Sequence, residues 1–105
     1  MGKVMRVSQQ TLKVLAALAA KPTGSHYGYA LSRQTELLSG TLYPILMRLE
    51  RHGWLETRWE FPPPGGRPPR HMYRLTASGR KRAAEMIRAA TRRGALRLVP
   101  QRGET

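Results

Sequence analysis

Between residues 40 and 51 the chain concentrates groups that could hold a polyanion and read the edge of a base. Thr41 offers a short hydroxyl and Tyr43 a phenol, while Arg48 and Arg51 offer guanidinium forks. Hydroxyls and guanidinium groups donate well to phosphate oxygens, and a fork can also pair bidentately with the edge of a guanine. Each residue has an ordinary job available too: Thr41 as a helix cap, Tyr43 in packing, Arg48 on a solvated surface with Glu50 or Arg51. Catalysis has no comparable set of groups. Asp and Cys are absent, the three histidines are scattered, and no pair of glutamates has a spacing suited to acid–base work. No glycine loop between a strand and a helix could cradle a nucleotide phosphate. The chain is therefore expected not to be an enzyme, and to need no cofactor or metal.

The elements that must carry these groups follow from periodicity. Leu42, Ile45, Leu46 and Leu49 fall on one helical stripe and turn Thr41, Pro44, Arg48 and Arg51 elsewhere. Proline is comfortable only in a first turn, so Ser39 or Thr41 is expected as the N-cap, with Thr41 straining Pro44 least. Gly53 is placed to end this helix. Before it, Leu12, Leu15, Ala16 and Ala19 predict a helix over residues 8 to about 20, capped by Ser8 and stopped at Lys21-Pro22-Thr23-Gly24. A shorter helix runs from about 27 to 35, with Tyr27, Ala30 and Leu31 inward and Ser25 or His26 as its cap. Residues 54–60 alternate as a strand, Leu55, Thr57 and Trp59 against Glu56, Arg58 and Glu60. A Pro-Gly loop over residues 61–70 leads to a strand over residues 71–75, with Tyr73 and Leu75 inward. Thr76 then caps a helix from 77 to about 93. This order predicts a mainly α fold with a two-stranded β wing, a winged helix-turn-helix.

The bulk properties fit that layout. The chain has 105 residues, enough for one modest core, and a formal net charge of +13. Such a charge attracts nucleic acid or an anionic membrane. The first residues lack the apolar core of a signal peptide, and no apolar run approaches the length of a membrane span. Without cysteine there is no disulfide framework. A cytoplasmic protein is expected, with double-stranded DNA as partner and no membrane association. A basic RNA-binding protein is the main alternative, though the aromatics form no single-strand stacking platform. An architectural or recombination accessory protein would keep the same fold.

Four segments, in register, resemble the PadR family of transcriptional regulators: Tyr27-Gly28-Tyr29-Ala30-Leu31, Gly40-Thr41-Leu42-Tyr43-Pro44 with Leu46, Arg48, Leu49 and Glu50, Gly53-Trp54-Leu55-Glu56, and Tyr73-Arg74-Leu75-Thr76 with Gly79. The resemblance covers residues 8 to about 90 and is to the family's short subgroup, with a single C-terminal helix. It implies a homodimer held by that helix, repression at a palindromic operator, and release by a small-molecule effector bound near the dimer interface. The chain departs from many members in its short connection between the second and third helices. Its last helix also carries no aromatic residue, where members that bind flat aromatic drugs place one.

Within that frame residues 1–76 are expected to form the DNA-binding domain, and residues 77–105 the dimerisation helix and basic tail. Thr41 would offer its hydroxyl and backbone N–H to a phosphate, and Arg48 would contact a base. The resemblance places Tyr29 against the DNA backbone, and Ser39, Pro44 and Arg51 join the same surface. Arg67 and Arg70 on the Pro-Gly wing would enter a minor groove or meet phosphates. Ala83, Met86, Ile87 and Ala90 form the apolar stripe of the last helix and the expected dimer seam, while Met47 and Met86 read first as packing residues.

Overall fold

Ser8 opens the first helix by accepting a hydrogen bond from the Thr11 backbone N–H at 3.1 Å, as an N-cap should. The computed structural model describes residues 7–94; the basic tail expected beyond Gly94 lies outside them. Helix α1 spans Gln9–Ala19, followed by β1 (His26–Tyr27), α2 (Gly28–Thr35), α3 (Ser39–Arg51), β2 (Leu55–Glu60), β3 (Arg70–Leu75) and α4 (Ala77–Arg92). The expected winged helix-turn-helix order is present. The sheet has one more strand than expected, in the order β1-β3-β2, all antiparallel.

The extra strand pairs His26 with Tyr73 and Tyr27 with Met72. Two residues carry no periodicity, so their pairing becomes visible only once β3 lies alongside. This overturns the cap expected at Ser25 or His26: Tyr27 occupies the N-cap position of α2 and makes no side-chain cap bond. His26 is instead buried, its Nε2 3.1 Å from the Lys21 carbonyl, and so ties down the turn after α1.

The core is formed by the inner faces of α1, α2 and α3, closed by the sheet and α4. Leu15, Leu18, Leu31, Leu42, Leu46 and Leu49 are fully buried. In α1 the buried face is Thr11, Leu12, Val14, Leu15 and Leu18; Ala16 and Ala19, expected inside, are only partly covered. The helix touches α2 and α3 as well as α4, which widens its buried arc beyond a single stripe. Trp54 packs into this core. Thr76 caps α4 by accepting from the Gly79 N–H at 2.9 Å.

The turn between α2 and α3 is three residues long because Glu36 adopts a left-handed conformation, φ 61°, in which few non-glycine residues sit comfortably. Local bonds compensate: Ser32 Oγ donates to the Leu37 carbonyl at 2.7 Å and Thr35 Oγ1 to that of Leu31 at 2.7 Å. Leu38 then leaves in an extended conformation and is the N-cap of α3. Both the Thr41 and Leu42 N–H groups donate to its carbonyl, each at 2.9 Å. Neither Ser39 nor Thr41 is therefore the cap, and Pro44 sits in the second turn, inside the helix. It has no N–H for the Gly40 carbonyl, and both residues are solvent-exposed, where water can take that acceptor. At the other end the Gly53 and Trp54 N–H groups bond back to Glu50 and Leu49 at 2.9 and 3.0 Å. With Gly53 at φ 77° this is the Schellman stop that the glycine predicted.

Candidate nucleic-acid interface

Helix α3 buries Leu42, Ile45, Leu46 and Leu49, and its opposite side is open. Gly40, Pro44, Met47 and Arg51 are exposed there, recurring at helical spacing along one line. Thr41 and Arg48 flank that line on one side, Tyr43 and Glu50 on the other, as the helical period requires. Among the described residues no carboxylate pairs with Arg48 or Arg51. Glu50, expected as their local partner, instead accepts a hydrogen bond from Thr57 Oγ1 on β2 at 3.3 Å. Both guanidinium groups are thus free to meet an external anion.

The remaining sites are placed less uniformly. Ser39 is exposed in the first turn of α3, where N–H groups lack intrahelical acceptors. The Thr41 N–H is already used by Leu38, so only its half-exposed hydroxyl remains available. Tyr43 packs partly against the core, with its ring centroid 6.5 Å from that of Tyr73. Its hydroxyl lies over Gly28, where a Cβ would collide with it; this glycine lets α2 start against α3. Tyr29 stands clear on α2, 70% exposed, and accepts a hydrogen bond from Arg33 at 3.0 Å. Sequence periodicity did not single out Arg33, because the pairing needs only one helical turn and no buried face.

The wing arginines do not reach outward from its tip. Arg67 Nη2 lies 2.8 Å and Arg70 Nη2 3.4 Å from Glu60 Oε1, which also accepts from the Tyr27 hydroxyl at 2.9 Å. The Arg70 guanidinium sits 4.3 Å from the Tyr27 ring centroid. The Tyr27 hydrogen bond, followed by the two guanidinium charges, holds the Glu60 carboxyl below the usual carboxylate range. Along the inner side of the wing Trp59 stacks on His71 at 4.5 Å, and Tyr73 bonds His71 Nδ1 at 3.0 Å. Burial, then the neighbouring Tyr43 and Glu50, push the Tyr73 phenol up to about 12.

The expected dimer seam is partly spent inside the subunit. Ala83 and Ala90 are fully buried on a helix that lies against α1, so neither has surface left for a partner. Met86 and Ile87 also lean on the subunit core but remain half-buried. Met47 corrects the opposite error: expected in packing, it is 56% exposed. Its position half a turn from the leucine stripe was the available signal.

Among the described residues, no group of acids and histidines could hold a metal ion, and no helix is long and apolar enough to cross a membrane. A family model described as the transcriptional regulator PadR-like family matches residues 14–85. A PadR family transcriptional regulator from Eggerthella lenta is similar in structure, 28% identical, with a TM-score of 0.66 over 82% of this chain and 78% of that one. A PadR-like transcription factor from Bacteroides fragilis is 25% identical, with a TM-score of 0.65 over 80% and 82% of the two chains. NadR, in complex with 4-hydroxyphenylacetate, is 29% identical, with a TM-score of 0.60 over 84% of this chain and 59% of that one. No curated protein matches the chain by sequence.

Proposed function

Because the chain belongs to the PadR-like family of transcriptional regulators, we propose that it is a cytoplasmic, homodimeric repressor that places α3 of each subunit in the major groove of a palindromic operator. The observation that carries this reading is the open side of α3, with Arg48 and Arg51 unpaired among the described residues beside a buried leucine stripe. Arg48 is the base contact in this reading. The Thr41 hydroxyl, the Ser39 and Gly40 N–H groups, Tyr29 and Arg51 hold the flanking phosphates. The Tyr43 hydroxyl has only a glancing share, since its ring is committed to packing. The wing lies along the DNA with Arg67 and Arg70, which must leave Glu60 to do so.

The two subunits join through α4, with Met86 and Ile87 as the apolar contacts and Ala83 and Ala90 supporting the helix from within. Residues 1–76 act as the DNA-binding unit and residues 77–105, with α4, as the dimerising one. Release by a small aromatic acid or similar effector belongs to the same reading, given the ligand carried by NadR. A cavity of about 90 Å³ on the sheet, beside Ser25, Glu56, Arg58 and Met72, is too small for such a molecule. In this reading the effector binds near the interface between two subunits, as the family resemblance implies.

Sequencing the genomic fragments retained by the purified chain tests the proposal. A shared palindrome with half-sites about one helical turn apart is expected. Retention of fragments with no common sequence would point instead to an architectural protein on the same fold.

A further inference from the structure

We propose that the centre of the α3 face reads thymine through its 5-methyl group, with Met47 as the contacting side chain. The inference rests on the DNA-binding reading above and adds what that surface recognises. Along the exposed line, Gly40 has no side chain, Pro44 has no polar side-chain atom, and Met47 offers only a thioether. No strong hydrogen-bonding side chain occurs on the line before Arg51. The hydrogen-bonding groups stand on its flanks; on one flank Glu50 accepts from Thr57 and the Tyr43 hydroxyl is packed over Gly28. A strip of this kind cannot distinguish base edges by donors and acceptors. The major groove presents one apolar feature, the methyl of thymine.

Two further observations point outward from the same strip. Met47 is left 56% exposed in the middle of it, a flexible apolar side chain suited to filling an irregular gap against a partner. Gly40 has an ordinary backbone conformation, and a Cβ there would meet nothing within 4 Å. The subunit itself therefore does not require glycine at this position, where alanine would favour the helix. A missing side chain on an exposed helix face leaves room for another molecule to come close. Arg48 and Arg51 supply the positive charge that draws that molecule to be DNA.

The test changes the DNA before the protein. The chain is titrated with its retained operator fragment, with a scrambled duplex, and with the same fragment carrying deoxyuridine for thymine, which removes only the methyl groups. Loss of about fourfold in affinity for each contacted methyl is expected, the effect of one buried methyl-sized group. In Met47→Ala, whose exposed site leaves folding unaffected by circular dichroism, the difference between thymine and deoxyuridine fragments should fall. Gly40→Ala should weaken operator binding while leaving the thermal unfolding of the free chain unchanged or raised. Equal affinity of the wild-type chain for the thymine and deoxyuridine fragments would overturn the inference while leaving the operator reading intact. Full thymine preference in Met47→Ala would remove Met47 from the contact. Equal affinity for operator and scrambled duplex would overturn the repressor reading, and the inference with it.

Discussion

Arg48 and Arg51 sit three residues apart on α3 and are not equivalent. Arg51 lies on the exposed line near the helix C-terminus, while Arg48 is half-buried on its flank, where packing restricts the rotamers of a long side chain. A restricted fork suits a base edge, and a mobile one suits a phosphate. Arg48→Ala should relax preference at one base position by ~1–3 kcal/mol, measured with operators mutated one pair at a time. Arg51→Ala should weaken all sequences alike, and the reverse pattern would exchange the two assignments. Tyr73 makes a separate prediction. Its phenol is raised in the fold to about 12 from an ordinary value of 10.0, so folding favours the neutral form. That stabilisation is complete below pH 10 and is lost as pH rises through about 12. Tyr73→Phe should remove this part of the alkaline loss in unfolding experiments; an unchanged alkaline limb would place the loss in other groups.

Among the elements, the wing differs most from its expected role. Glu60 collects Arg67, Arg70 and the Tyr27 hydroxyl at the loop end of the hairpin, so two arginines contribute a net charge of one. Exposed pairs of this kind are worth little, and phosphate can compete for the guanidinium groups. Glu60→Gln should tighten DNA binding at low salt and steepen the dependence of log K on log salt by about 0.9, one additional phosphate neutralised. An unchanged slope would mean that the wing arginines do not reach DNA. Because the Glu60 pKa is depressed, the contribution of this cluster to stability is present above the ordinary carboxylate range. It is lost as pH falls through the depressed value.

The same scale marks what the sequence made legible. The leucine stripe of α3, the Gly53 stop and the Ser8 and Thr76 caps are local patterns, and each was readable. The β1 strand was hidden because its only determinant is a partner more than forty residues away. Pro44 suggests a first turn, whereas the left-handed Glu36 lets the helix begin earlier, at Ser39. The exposed line of Gly40, Pro44, Met47 and Arg51 is implicit in the helical period, yet the residue type of Met47 alone suggests packing. Pairing of Arg67 and Arg70 with Glu60 was out of reach, since it depends on how a Pro-Gly loop folds back over its own strand.

At the scale of the whole molecule, a net charge of +13 supplies attraction to DNA without choosing a sequence. In the proposed dimer, choice comes from two copies of α3 held at a fixed spacing, which makes the α4 contact decisive. Ile87→Glu should move the chain from dimer to monomer in sedimentation at micromolar concentration. It should also reduce affinity for the palindrome far more than for a half-site. Because Ile87 also leans on its own core, circular dichroism must first show the variant folded; a folded variant that remains dimeric would place the seam elsewhere. The central claim, that this is a sequence-specific regulator, is tested most directly by one titration. The full chain is titrated with its retained operator fragment and with a scrambled duplex of equal length, across a salt series. The expected result is two parallel, steep salt dependences separated by about a thousandfold or more in affinity. Coincident curves at every salt concentration would contradict it.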